Sequence, residues 1–185
     1  MTLPELMRTR RSISVFLDKP IPNGLIEGLL ETAIWAPNHH LTEPWRFILL
    51  TGDAPKRYAA IRREMAIESA KMLNTEKLRQ IGESTYNKFA FIPAYLVVAM
   101  KQNTDPEICE EDFAACCCLI QNFMLLAWEQ GLGTHWKTLK KDVRLRTFLG
   151  LATDEKAVSI VQIGYPAEVP TTSRHPARER LTYIR

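Results

Sequence analysis

The sequence predicts an α+β or α/β domain, a modest sheet wrapped by helices. Three observations carry that prediction. Apolar residues at helical spacing alternate with short continuous apolar runs that read as buried strands, most clearly at 94–100. The segment 110–130 is apolar nearly all round, as expected of a helix buried on several sides, in a large core or against a second subunit. No repeat, low-complexity tract or Gly/Ser linker divides the 185 residues, so one domain over 1–185 is expected.

In chain order, Thr2 can cap a short helix through Thr9, with Pro4 in its first turn, where a missing N–H costs nothing. Pro20 and Pro22 mark a turn and Asn23 is the candidate cap of the next helix. Leu25, Ile26, Leu29, Leu30, Ala33 and Ile34 then share one face until Pro37 stops that helix. Residues 45–51 read as a strand closed by Gly52 and Asp53. The pattern is helical from 55 to about 73 and again from 76 to about 84, and Pro93 ends an irregular stretch before the strand at 94–100. In helix 110–130, the stretch 113–128 has only Gln121 and Asn122 as polar residues, and Gly131 stands where a C′ glycine belongs. A short helix over 142–149 and a strand over 157–163 follow, ended by Gly164-Tyr165-Pro166. The tail finishes in Leu181-Thr182-Tyr183-Ile184, an apolar ending expected to dock on its own subunit or on a partner.

Composition narrows the function. Hydrophobic residues make up 46% and charged residues 24%, which excludes a disordered chain. A balance of 24 Lys+Arg against 21 Asp+Glu, without a run of five like charges, argues against nucleic-acid binding. No apolar run approaches the roughly 20 residues that span a bilayer, and no apolar segment follows Arg8, Arg10 and Arg11 as a secretory signal requires. A cytoplasmic location is therefore expected. Cys109, Cys116, Cys117 and Cys118 have neither redox nor zinc spacing and read as buried, reduced thiols. His39, His40, His135 and His175 form no helix-borne zinc pair, and adjacent His39 and His40 are expected to diverge, so no metal is assigned. Phosphate-loop, complete dinucleotide and nucleophile-elbow motifs are missing.

Four motifs remain. Arg10-Arg11-Ser12-Ile13-Ser14 joins two guanidinium groups to hydroxyls at a helix end, a set suited to a phosphate monoester. The stretch from Ala36 and Pro37 through Asn38, His39, His40, Leu41, Thr42, Glu43 and Pro44 to Trp45 is a proline-fixed polar loop entering a strand; its plain reading puts Trp45 in the core. Gly131-Leu132-Gly133-Thr134-His135-Trp136-Lys137-Thr138 offers glycines for close backbone approach, an apolar wall and a cation. Arg174, after Tyr165-Pro166, is a second candidate phosphate anchor.

In this order and spacing the motifs resemble the nitroreductase superfamily of FMN-dependent enzymes, and most its short branch of compact NAD(P)H nitroreductases with an A-P-[DN]-H loop. The similarity runs from Leu6 to about Tyr183. The resemblance implies an α+β fold with a central, mostly antiparallel sheet flanked by helices, in an intertwined homodimer with two FMN sites at the interface. Helix 110–130 becomes the dimer core, and the tail embraces the partner. Arg10, Arg11 and Ser12, assisted by Arg174, are implied to hold the FMN phosphate and ribityl chain. His39 and Trp35 are implied to approach the flavin from the other subunit, with core packing the competing role for Trp35. Trp136, Lys137 and Thr138 match the segment along the flavin, Lys137 being the candidate catalytic cation at the N1–C2 edge. Residues 126–131 match a nicotinamide-nucleotide contact.

Two positions depart from the family pattern: Glu43 stands where Gln is common before Pro-Trp, and Ser14 where a basic residue is frequent. The activity implied is ping-pong hydride transfer from NADH or NADPH through FMN to a nitroaromatic, quinone or similar acceptor. The alternatives are enone or semialdehyde reduction or dehalogenation on the same scaffold, and a non-catalytic flavin reservoir or sensor.

Overall fold

A computed structural model describes residues 1–185. Four strands, β1 (Trp45–Leu50), β2 (Ala94–Lys101), β3 (Gly133–Lys137) and β4 (Glu155–Gly164), form one sheet in the order β1-β2-β4-β3. All three pairings are antiparallel. Six helices surround it: α1 (Leu3–Thr9), α2 (Leu25–Ala33), α3 (Ala54–Ser69), α4 (Thr75–Ala90), α5 (Pro106–Glu129) and α6 (Val143–Phe148). The domain is α+β.

Strand β2 explains the layering. Its residues 94–100 are all buried, so it is covered on both faces, as a continuous apolar run requires. Alternation then sorts the side chains. Leu96, Val98 and Met100 pack with Ile26 and Leu29 of α2 and Leu119, Ile120 and Phe123 of α5. Tyr95 and Val97 pack with Tyr58 of α3, Phe89 of α4 and Leu145 of α6. Tyr95 Oη donates to the Phe89 carbonyl at 2.7 Å, so this buried phenol is satisfied.

Several boundaries differ from the sequence expectation, each for a local reason. Gly24, not Asn23, occupies the cap of α2, at φ +79°, a left-handed turn that suits a residue without Cβ. Helix α3 ends at Ser69 rather than near 73, because Asn74 begins a new helix by accepting from the Lys77 N–H at 3.0 Å. Helix α4 continues to Ala90 instead of stopping near 84, since Phe89 and Ala90 are pulled into the core. Glycine-rich 131–138, given no secondary structure from sequence, contains a whole strand, β3. Helix α5 buries one side, with Ala114, Cys118 and Gln121 left exposed. The tail does not dock on its own chain: Tyr183 is 71% and Ile184 97% exposed.

Candidate functional site

The site is built where the first motif lies against β3. Ser12 makes a parallel bridge to Thr134, and the Ile13 N–H donates to the Thr134 carbonyl at 2.9 Å. The segment 12–14 thereby extends the sheet edge beyond β3, its one parallel contact. Close approach is possible because Gly133 has no side chain: a Cβ there would meet Ile13 Cγ1 at 2.5 Å and Pro166 Cγ at 3.0 Å. Ile13 itself is fully buried. His135 Nδ1–H donates to the Ile13 carbonyl at 3.1 Å, a second tie between segment and strand. Trp128 Nε1–H donates to Thr9 Oγ1 at 3.1 Å and fixes the end of α1 against α5.

This docking gathers guanidinium groups. Arg10 is half-buried, and its pKa is pushed below the usual arginine value by burial and by the charges of Arg11 and Arg174. None of the three is ion-paired with a carboxylate. Arg11 Nη1 donates to the carbonyls of Arg8 at 2.7 Å and Arg10 at 2.8 Å, and Arg174 Nη1 to Thr172 Oγ1 at 2.9 Å. Three convergent cations without an acid suit a dianionic phosphate, which accepts several charge-assisted bonds at once. Exposed Ser12 lies beside them.

Two further cations, Arg62 and Lys88, which no sequence motif marks, stand near Lys137. Burial and the charges of Lys88 and Arg62 lower the Lys137 pKa. Arg62 and Lys88 flank one Phe89 ring, at 4.4 and 6.0 Å from its centroid, so α3 and α4 deliver both to the same place. His135, also depressed, chiefly by burial and then by Lys137, stays neutral near pH 7. On β3, Lys137 and His135 share one face and Trp136 takes the other, against the α5 core. Thr138, just beyond the strand, is exposed. The signal that pointed to Lys137 could not reach Arg62 and Lys88, which sit among the many charged residues of α3 and α4.

The proline-fixed loop lies at α5. Thr42 Oγ1 donates to Asp112 at 2.6 Å, and His39 Nδ1 meets Glu111 Oε2 at 2.7 Å. The Glu43 N–H donates to Asn38 Oδ1 at 3.0 Å. Between these ties His40, Leu41 and Glu43 take φ of +54°, +52° and +43°. Such backbone costs about 1–2 kcal/mol per non-glycine residue, so surrounding contacts must hold it. The turn stacks His39 on His40, ring centroids 3.9 Å apart, where divergence was expected. Trp35 is 86% exposed, so core packing within its own chain is excluded. Trp45 is half-buried at the rim of the core.

The four thiols are free; Cys116 is buried and pushed up to about 12 by burial, but Cys118 is exposed, against expectation. No set of three or more His, Cys, Asp or Glu side chains is placed to hold a metal. No helix is long and apolar enough to cross a membrane. A cavity of about 780 Å³ is lined by Lys19, Pro22, Ile26, Thr51 and Phe91 among others, and by no member of either cation group.

The chain is thus an antiparallel sheet between helical layers, with arginines free of carboxylate partners at its edge, an arrangement whose charge suits a phosphorylated ligand. Comparison with known proteins gives that class a family. The Nitroreductase family profile matches residues 7–165. A Bacillus subtilis (strain 168) protein, "Putative NAD(P)H nitroreductase YfhC", is 37% identical over 183 residues, 97% of this chain and 93% of that one. The crystal structure of a nitroreductase-like family protein from Bacillus cereus superposes with a TM-score of 0.85 at 32% identity, over 100% of this chain and 96% of the other. Oxidized iodotyrosine deiodinase bound to FMN and 3-iodo-L-tyrosine shares the fold, with a TM-score of 0.71 at 18% identity over 100% and 98% of the two chains. The chain belongs to the nitroreductase family, a family of oxidoreductases.

Proposed function

We propose that this chain is an FMN-dependent oxidoreductase that moves a hydride from NADH or NADPH to an electron-poor acceptor such as a nitroaromatic or quinone, working as a homodimer. The observation that carries the reading is the convergence of Arg10, Arg11 and Arg174 at the β3 edge without a carboxylate. FMN fits that donor set: its phosphate answers the guanidinium groups, and its ribityl hydroxyls can pair with Ser12 and the backbone beside Thr134. When bound, the flavin supplies the hydride chemistry at N5, which accounts for the lack of any triad or acid pair among the side chains. Lys137, with Arg62 and Lys88 nearby, supplies positive charge to a bound group that gains electrons. Trp136 and the C-terminal end of α5 supply apolar surface. Trp35, almost fully exposed, and His39 are offered to the second subunit's site, and exposed Tyr183 and Ile184 to its surface. Free thiols fit a reducing, cytoplasmic setting.

The test is an absorbance spectrum of the purified protein from 300 to 550 nm, followed by anaerobic NADH or NADPH. A flavin spectrum that bleaches and returns with a nitroaromatic or quinone supports the reading and identifies the donor. Bound flavin that does not bleach favours a reservoir or sensor; failure to take up added FMN overturns the site. A second reading, reductive dehalogenation, is favoured by the likeness to iodotyrosine deiodinase. Return of the bleached spectrum with a halophenol but not with nitroaromatics or quinones would select it.

A further inference from the structure

The loop between α2 and β1 is held by two adjacent residues of α5 that no motif singled out. Asp112, 7% exposed, accepts from Thr42. Glu111, one position earlier, meets His39 Nδ1 at 2.7 Å. Both partners of this second contact are partly open, with side chains 59% exposed for His39 and 37% for Glu111. A side-chain contact this open to solvent adds little to stability. Its geometry has another consequence. A carboxylate only accepts, so Nδ1 must carry the proton, and a neutral ring is left with a bare Nε2 lone pair. The His40 ring stacked at 3.9 Å limits rotation of the His39 ring. A cavity of about 440 Å³ opens beside them, lined by Pro37, Asn38, His39, Glu111, Ala115 and Cys118 among others.

We propose that Glu111 is a positioning residue for His39: it holds the proton on Nδ1 and presents Nε2 as a hydrogen-bond acceptor for an N–H or O–H of the bound cofactor. This rests on the assignment of His39 to the FMN site of the neighbouring subunit. Flavin N3–H and the ribityl hydroxyls are donors of the required kind. Glu111 thus sets which half of the His39 ring is polar in which sense, while Asp112 sets where the loop lies.

The experiment uses the FMN-loaded protein with 15N-labelled histidine, and reads the tautomer of each ring from two-bond 1H–15N correlations, with His39→Gln identifying the signal. The wild type should show His39 as the Nδ1–H form. Glu111→Ala should lose it. Glu111→Gln should keep it, because the amide oxygen still accepts. FMN dissociation constants, from fluorescence quenching on titrating apoprotein, should rise about 10-fold for Glu111→Ala and for His39→Gln, and no further for the double variant; Glu111→Gln should stay near wild type. The unfolding midpoint of Glu111→Ala should be unchanged, separating orientation from stability.

An unaltered His39 tautomer in Glu111→Ala overturns the inference and leaves the FMN reading intact. So does a switched tautomer with wild-type FMN affinity, or additive losses in the double variant. Wild-type FMN affinity in His39→Gln removes His39 from the site, and the inference falls with that assignment.

Discussion

Gly133→Ala tests whether the close approach of segment 12–14 to β3 builds the site. The new Cβ would lie 2.5 Å from Ile13 Cγ1 and 2.9 Å from Ile13 Cβ. Those atoms belong to a fully buried side chain near its backbone, so they cannot swing away like the tip of a lysine. Overpacking of this kind costs about 1–3 kcal/mol. Replacing glycine by alanine also narrows the unfolded ensemble, which returns about 0.4–1 kcal/mol where the backbone permits a side chain. The net expectation is a loss of about 1–2 kcal/mol, or a Tm lower by about 2–8 °C for a chain of this size. Because the shift levers Ser12 away from Thr134, FMN affinity should drop about 10-fold, more than a distant lesion of equal stability cost would produce. Gly28→Ala is the control: it sits inside α2 with nothing within 4 Å of the added Cβ, and should gain about 0.5–1 kcal/mol. Urea unfolding of both apoproteins and flavin titrations decide the matter. A Gly133→Ala protein with wild-type midpoint and wild-type FMN affinity would refute the packing argument.

Other expectations follow from the same geometry. Arg10→Ala and Arg174→Ala should each weaken FMN about 10- to 100-fold while leaving riboflavin, which lacks the phosphate, nearly unaffected; equal loss of both ligands would remove the arginines from the phosphate. Lys137→Met should keep FMN bound but slow its anaerobic bleaching by NAD(P)H about 10-fold or more, and an unchanged stopped-flow rate would end its assigned role. Glu155 takes Arg46 in a two-pronged pair, at 2.6 and 2.7 Å, which lowers the Glu155 pKa. A lowered carboxyl pKa contributes stability that is complete above the unfolded value, near 4.3, and is lost as pH falls through the folded value. Glu155→Gln should therefore cost about 1 kcal/mol at pH 7 and flatten the stability profile below about pH 4.5, as followed by urea midpoints.

How far the sequence could be read depended on what each element's residues express locally. Strand β2 announces itself because burial on both faces demands an unbroken apolar run, and helix α5 because its apolar composition extends even to its exposed Ala114 and Cys118. Strand β3 does not: a glycine opens it, and its His, Trp and Lys sit near the sheet edge, where one flank is paired only by segment 12–14. The end of α4 was hidden by Asn87 and Lys88, whose polarity masks the buried Phe89 and Ala90 beside them. Arg10, Arg11 and Arg174 were legible as chemistry, since guanidinium groups next to hydroxyls carry meaning without coordinates. The bond from His39 to Glu111 spans 72 positions, and the approach of Arg62 and Lys88 to Lys137 depends on how α3 and α4 lie on the sheet. Neither leaves a trace in spacing.

The charge arrangement around β3 also supports the proposal that these cations serve a ligand rather than fold stability. Where cations and acids do meet in this chain, they pair: Arg144 reaches Asp142, Glu68 and Glu64, and Arg79 bridges Glu76 and Glu83. Partnership holds the Asp142 carboxyl down at about 2. At the two places where cations converge without acids, the shifts run the other way: Arg10 and Lys137 each bind their protons less tightly because they are buried beside like charges. A fold gains nothing from such crowding, since every like-charged neighbour disfavours the charged form. An anionic ligand reverses the sign of the same interaction. One group lies with the segment bridged to the start of β3 and the other with the Lys137 end, so the strand separates two positive regions. That spacing along one edge fits the proposed ligand, FMN, which would set its phosphate at the arginines and its electron-accepting, polar rim at Lys137 and its neighbours.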